Sequence, residues 1–130
     1  VYNQTEIHAA IAEAVAQMWR DELGVEVHLE AVADWDAYSE RLRSDAPHIF
    51  RLGWLADYND PDNFLKTLRS ESEINYERFA NAEFDHLVDQ AAEETDPKIR
   101  QELYIEAERI LCQEEAALIP LFHTFYDISE

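Results

Sequence analysis

The feature that most constrains the fold is an abrupt change from apolar to acidic residues near the middle of the chain. Residues 48–55 contain a short apolar run, which is typical of a buried strand. An acidic and aromatic loop, residues 57–60, follows directly. Pro61 comes next, and proline is favoured in the first turn of a helix. The pattern therefore predicts a strand, a loop, and then a helix from Pro61 to about Leu68 with Asp60 as its N-cap.

A strand that leads through a loop into a helix marks the place where α/β proteins bind ligands, because such sites lie just outside the carboxyl ends of strands. Trp54 and Asp57 hold that position here. The residues alone leave two interpretations of Asp57: a carboxylate at a turn or helix entry, or a group that binds a ligand. Because alternate strand residues point to opposite faces, the predicted strand places Arg51 and Trp54 on opposite sides.

Helical periodicity marks four further segments. The first extends to about Leu23, where Gly24 stops it, because glycine is the usual residue just past a helix end. At its start, Asn3 and Glu6 have the spacing of a capping box. The others are a short helix that begins after Asp34, a helix over residues 84–95, and a helix that restarts at Asp96 and runs to about Leu111.

Apolar residues also predict strands. Residues 25–29 alternate between apolar and polar, which predicts a half-buried strand. Residues 118–122 are expected to form a buried strand with residues 123–128 as its extended continuation, whereas residues 69–80 lack periodicity and predict a loop. With a strand end at the first two residues, this order of elements predicts a single α/β domain over residues 1–130, with helices layered on a mixed sheet.

The net charge limits the classes of molecule that the chain is expected to bind. The chain has 29 acidic and 10 basic residues, a net charge of −19. Nucleic acids and anionic membrane surfaces are disfavoured as partners, because phosphate contacts require clustered Lys and Arg. No apolar run reaches membrane-spanning length, so we expect no direct membrane insertion of this segment. Two explanations of the acidity stay open: a well-solvated surface, or adaptation to high salt, which screens self-repulsion.

The sequence contains no recognisable catalytic constellation, so we expect neither an enzyme nor a cofactor. Five histidines are scattered without metal-ligand spacing, and the two glycines form no phosphate-binding loop. Residues 57–68 superficially suggest a calcium loop. However, Asp62 and Leu68 stand where that loop needs Gly and Glu. The single cysteine, Cys112, permits no internal disulfide.

Residues 53–65, Gly-Trp-Leu-Ala-Asp-Tyr-Asn-Asp-Pro-Asp-Asn-Phe-Leu, resemble the signature GW-x-ADY-x-DP-x-x-FL of the family 5 solute-binding proteins. These are oligopeptide- and dipeptide-binding proteins of ABC importers. Weaker agreement extends to residues 19–27, with Glu-Leu-Gly-Val, and to residues 107–121, with Ala-Glu-Arg-Ile-Leu and Ile-Pro-Leu. Family members are several times longer. The resemblance therefore implies a C-terminal lobe fragment of a longer protein with a periplasmic-binding-protein type II-like fold.

The resemblance also implies the site. By analogy with the family, Asp57 holds the α-ammonium of a bound peptide, and a carboxylate facing an ammonium makes charge-assisted hydrogen bonds. Trp54 lines the pocket and contacts a ligand side chain. Arg51 meets a peptide carboxylate. Arg51, Trp54 and Asp57 are thus the predicted ligand-binding residues, with no metal ligand among them.

The function that the resemblance implies is that of the substrate-binding component of an ABC importer for peptides, with the peptide amino terminus held in an interlobe cleft. The expected partners are a peptide and, through the intact protein, the membrane permease. The expected location is extracytoplasmic, in the periplasm or on the outer face of the cell membrane. An alternative that the same resemblance leaves open is the solute-binding sensor domain of a bacterial transcriptional regulator.

Overall fold

The computed structural model describes residues 1–123 of the chain. Backbone contacts divide the chain into two compact units, Val1–Leu55 and Ala56–Glu130, called here the first and second unit. The chain combines helices with a small sheet, so the predicted α/β class is confirmed. That residues 1–130 form a single domain remains a prediction.

The first unit contains helices α1 (Glu6–Leu23) and α2 (Trp35–Ser44). Both were predicted, and the local signals at two of their ends act as expected. Gly24 ends α1 with a left-handed φ of 65°, a conformation that costs glycine little. Asp34 is the N-cap of α2, and its side chain accepts a hydrogen bond from the amide of Ala37 at 2.9 Å.

The cap at the start of α1 differs from the prediction. Thr5, not Asn3, is the N-cap, and its hydroxyl accepts the amide of His8 at 3.1 Å. Asn3 lies in a strand instead, where its side-chain oxygen accepts a hydrogen bond from Arg51. The predicted capping box of Asn3 and Glu6 is therefore wrong, because the chain is still extended at Asn3.

Two short strands form the sheet of the first unit. Strand β1 (Tyr2–Asn3) pairs in parallel with β2 (Ala31–Val32). The strand predicted over residues 25–29 is wrong, since the chain pairs only after it, and Val25 is 45% exposed. Alternation identifies the face that a strand would bury, but a strand also needs a hydrogen-bonded neighbour.

The buried strand predicted over residues 48–55 is also wrong. The structure assigns no strand there, and Leu55 is 68% exposed. Yet the nitrogen of Val1 donates to the carbonyl of Ile49 at 2.9 Å, and the amide of Arg51 donates to the carbonyl of Val1 at 2.9 Å. One residue bonded to two positions on its neighbour is the pattern of parallel pairing. Residues 49–51 therefore run beside the start of β1 as an incomplete third strand.

Helices make up most of the second unit. Their bounds are α3 (Asp62–Leu65), which continues as a 3₁₀ turn (Lys66–Leu68), α4 (Ala82–Glu93), and α5 (Pro97–Arg109), which continues as a π turn (Ile110–Glu114). All three helices were predicted. Asn81 caps α4 and Asp96 caps α5, and each side chain accepts hydrogen bonds from two backbone amides.

A continuous apolar core joins α4 to α5 in the second unit. Phe84 is fully buried, and its ring meets that of Phe79 edge-on, with centroids 5.2 Å apart. On α5, Ala107 is fully buried in this core, whereas Ile99 lies exposed. The other buried members of this core are Leu65, Leu68, Val88, Ala91, Tyr104, Ile110 and Leu111.

Residues 69–80 form the expected loop, and the side chain of Asn75 braces it with bonds to three carbonyls, among them that of Phe79 at 2.7 Å. The strand predicted over residues 118–122 is wrong, because no strand pairing forms there and Phe122 is exposed. The predicted extension over residues 124–128 lies outside the described residues.

Within residues 1–123, no helix has the length and apolar character needed to cross a membrane.

Candidate functional site

Asp57 is the second residue of the second unit and lies exposed in a loop before α3. Its backbone amide donates to the side-chain oxygen of Asn63 at 3.3 Å. Asn63 is fully buried in α3. The backbone of Asp57 is thus tied to a buried residue, while its carboxylate is accessible to solvent. An exposed carboxylate on a backbone held in this way can accept hydrogen bonds from a ligand.

The loop between Asp57 and α3 is held by Asp60. Its Oδ1 accepts the amide of Asp62 at 2.9 Å, and its carbonyl accepts the amide of Asn63 at 3.1 Å. The helix begins at Asp62, so Pro61 occupies the cap position that was predicted for Asp60. The boundary moves by one residue, but Asp60 still performs the predicted task of accepting a free amide at the helix start.

Tyr58 adds a second set of bonds between the loop and α3. Its hydroxyl donates to Asp62 at 2.8 Å and receives a hydrogen bond from the ammonium of Lys66 at 2.6 Å. The same ammonium lies 4.8 Å from the centre of the Tyr58 ring. These exposed contacts orient the aromatic side chain that follows Asp57.

Arg100 on α5 binds Asp60 with two parallel hydrogen bonds of 2.9 and 2.8 Å. The Arg100 guanidinium, together with the amide of Asp62, holds the pKa of the Asp60 carboxyl below its usual range. Sequence reasoning missed this pair. The two residues are 40 positions apart, and no spacing rule connects a loop carboxylate with one of several helix arginines.

Arg51 is built into the first unit. Its guanidinium donates to the Asn3 side chain at 3.3 Å, and its carbonyl accepts a hydrogen bond from the Tyr38 hydroxyl. A Cβ at Gly53 would stand 3.1 Å from that guanidinium. Arg51 and Gly53 therefore share a side of the chain. Burial lowers the pKa of the Arg51 guanidinium.

Trp54 also belongs to the first unit, where its side chain is 42% exposed. An indole that is partly open to solvent offers a large apolar face for contact with another molecule. It was expected at the end of a buried strand, but residues 52–55 are assigned no strand and Trp54 lies exposed. The structure thus locates Arg51 and Trp54 in the first unit and Asp57 in the second.

A shallow groove of about 330 Å³ lies in the second unit beside Arg100. Its lining does not include Arg51, Trp54 or Asp57. The residues that line it are Pro61, Thr95, Pro97, Arg100, Gln101, Tyr104, Ile105 and Glu108. Among residues 1–123, no group of three or more His, Cys, Asp or Glu side chains is arranged to hold a metal ion.

The chain is similar in sequence to known peptide-binding proteins. The chain is 40% identical over 124 residues to the oligopeptide-binding protein OppA of Bacillus subtilis, covering 95% of this chain and 23% of that protein. It is 38% identical over 122 residues to the periplasmic murein peptide-binding protein MppA of Escherichia coli, covering 94% of this chain and 22% of that protein.

A solved structure agrees in fold. Haemophilus influenzae OppA in complex with the peptide RPPGFSPFR superposes with a TM-score of 0.78 at 34% identity, covering 85% of this chain and 22% of that one. The described chain thus has the fold of part of a type II periplasmic binding protein, as predicted. It spans less than a quarter of the length of the curated relatives named above.

A family model supplies the assignment. The model described as "Bacterial extracellular solute-binding proteins, family 5 Middle" matches residues 1–76. The match contains the whole signature segment, including Arg51, Trp54 and Asp57. More than half of the chain is covered, and the resemblance inferred from the signature is confirmed. The chain belongs to the family 5 bacterial extracellular solute-binding proteins.

Proposed function

We propose that this chain is a lobe segment of a longer protein that binds peptides outside the cytoplasm for an ABC importer. The two relatives reported above are named as peptide-binding proteins, and their names favour transport over the alternative of a transcriptional sensor domain. The observation that carries the proposal is Asp57: an exposed carboxylate on a backbone tied to the buried side chain of Asn63.

Asp57 would bind the α-ammonium of the peptide. A carboxylate accepts hydrogen bonds from a primary ammonium, and the opposite charges make these bonds stronger than neutral ones. In an open, solvated site such a pair contributes only about 0–1 kcal/mol. Closure of a second lobe over the ligand would remove water and strengthen the pair, so affinity would be concentrated in the closed state.

Trp54 and Arg51 are the other residues proposed to bind the peptide. The partly exposed Trp54 indole would pack against a side chain of the peptide. An arginine carries five N–H donors, and the bond to Asn3 uses one of them. Arg51 would therefore bind a peptide carboxylate while it keeps its contact with Asn3. In this proposal the protein holds its ligand without chemical conversion, and a permease receives it.

The proposal predicts that Asp57→Asn in the full-length protein selectively weakens binding of peptides with a free amino terminus. Removing one partner of a buried charge pair costs roughly 2–5 kcal/mol, or about 30- to 5,000-fold in affinity. The amide keeps the size of the carboxylate, so the melting temperature without ligand should hardly change. Isothermal titration calorimetry with the nonapeptide RPPGFSPFR and with tri-alanine measures the effect.

The matched controls are the same two peptides with acetylated amino termini. They carry no ammonium, so they should bind weakly and distinguish little between the variant and the unmodified protein. Binding of the free-amine peptides within about threefold of the unmodified protein would show that Asp57 is a turn residue only.

A further inference from the structure

The ion pair between Asp60 and Arg100 connects the loop that carries Asp57 to helix α5. Both terminal nitrogens of the guanidinium, Nη1 and Nη2, take part, at 2.9 and 2.8 Å, and the side chains of Asp60 and Arg100 are only 28% and 27% exposed. A bidentate pair fixes the direction of the carboxylate as well as its distance. Asp60 is therefore held in one orientation by a residue far away in the sequence.

Arg100 is itself fixed by both helices of the core. Its Nε donates to the carbonyl of Ala91 at 3.0 Å, in the last turn of α4, where helix carbonyls lack partners within the helix. Its Nη2 donates to the hydroxyl of Tyr104 at 2.9 Å, and the guanidinium lies 4.9 Å from the centre of that ring. The bond to Asp60 thus starts from a rigid support.

The bonds continue from Asp60 to Asp57. The carbonyl of Asp60 accepts the amide of Asn63 at 3.1 Å, and the side chain of Asn63 accepts the amide of Asp57 at 3.3 Å. A shift of Asp60 would consequently move both ends of the loop. Four residues, Arg100, Asp60, Asn63 and Asp57, form one continuous connection within the second unit.

We propose that Asp60 and Arg100 are positioning residues, which hold the Asp57 carboxylate where it meets the peptide ammonium. The inference rests on the proposed function, in which Asp57 binds that ammonium. Neither positioning residue touches the ligand. They act by ordering the loop before the peptide arrives, and a loop that is already ordered binds more tightly because less freedom is lost.

The test uses Asp60→Asn in the full-length protein, with RPPGFSPFR and tri-alanine in free-amine and acetylated forms. The substitution keeps the oxygen that accepts the Asp62 amide and removes the charge that Arg100 requires. We expect affinity for the free-amine peptides to fall about tenfold, and affinity for the acetylated peptides to change less than about twofold. Arg100→Gln should reproduce this selective loss.

Arg109→Gln is the matched control. Arg109 lies on the same helix and bonds to Glu106 and Glu114. Its loss should leave the ratio of free-amine to acetylated affinity unchanged. The double variant Asp57→Asn with Asp60→Asn should bind free-amine peptides no more weakly than Asp57→Asn alone, because Asp60 acts through Asp57.

The outcomes separate this inference from the function on which it rests. If Asp57→Asn abolishes the preference for free amines but Asp60→Asn only lowers the melting temperature, the pair is structural and the inference is overturned alone. Additive losses in the double variant would overturn it too. If Asp57→Asn leaves the preference intact, or neither probe binds the unmodified protein, the proposed function fails as well. Should Arg100→Gln not fold, Asp60→Asn decides.

Discussion

The two units differ in how completely each covers its own apolar side chains. In the second unit, α4 and α5 follow each other in sequence and bury a continuous core around Phe84. In the first unit, α1 keeps Ile7 and Met18 exposed, and Ala16 is its only fully buried member. Strands β1 and β2 contain two residues each.

The difference between the two units arises from how far apart in the sequence their contacting residues lie. Two adjacent antiparallel helices can bury their faces with a short connection. Parallel strands need a crossover of a dozen or more residues before they can pair. The second unit is therefore specified mostly by neighbouring sequence, whereas the first unit depends on pairings between distant segments.

The largest expected effect comes from the core of the second unit. Phe84→Ala should lower the free energy of unfolding by about 3–5 kcal/mol, because it removes a buried ring and leaves a cavity. Urea denaturation of the variant and the unmodified chain measures this difference. Phe64→Ala is the matched control, because the Phe64 ring is 42% exposed and its loss should change stability by about 0.5 kcal/mol or less.

Ile7→Ala extends the same test to the first unit. Ile7 is 69% exposed on α1, so its truncation should also cost about 0.5 kcal/mol or less. A loss at Ile7 as large as the loss at Phe84 would break the contrast between the units.

Salt should stabilise the chain, because its net charge of −19 produces self-repulsion. Raising NaCl from about 0.1 M to about 1 M shortens the Debye length from about 10 Å to about 3 Å and screens self-repulsion. We expect the melting temperature to rise by about 4 °C, the shift that roughly 1 kcal/mol produces at this chain length. A flat or falling melting temperature in a thermal scan would refute this expectation.

Glu77 should give a smaller effect than Phe84, within the same, better packed unit. Its Oε2 is buried and has no hydrogen-bond partner among the described residues, and burial raises the pKa of its carboxyl. A raised pKa favours the protonated form in the fold. The associated stability is present below the ordinary value of 4.5 and is lost as the pH rises through the folded value.

Glu77→Gln should therefore stabilise the protein at pH 7, by up to about 1 kcal/mol, because no charge has to be buried. The gain should vanish near pH 4. Chemical denaturation at both pH values provides the measurement, with the exposed Glu73→Gln as control. A gain of equal size at both pH values would contradict the assigned cause.

The same contrast explains what the sequence could predict. Helices and their ends were predictable because the signals are local: Gly24 ends α1, and Asp96 caps α5 through amides two and three residues away. The three predicted strands over residues 25–29, 48–55 and 118–122 failed, because an apolar pattern does not supply the neighbour that completes a strand.

The candidate site divides in the same way. The signature segment around Asp57 was recognisable from consecutive residues, and the family assignment confirmed it. The Asp60–Arg100 pair was not predictable, because residues forty positions apart meet only after α4 and α5 have packed. Consecutive residues of a signature can thus be recognised in a sequence, whereas a pair that meets only in the folded chain cannot.

Mass spectrometry of the ligand that co-purifies with the full-length protein tests the central claim most directly. The protein would be purified without denaturation, its mass measured with ligand bound, and the ligand released and sequenced. The account predicts peptides with free amino termini, lost from Asp57→Asn and retained by Arg109→Gln. A non-peptide ligand, or peptides whose amino termini are blocked, would contradict it.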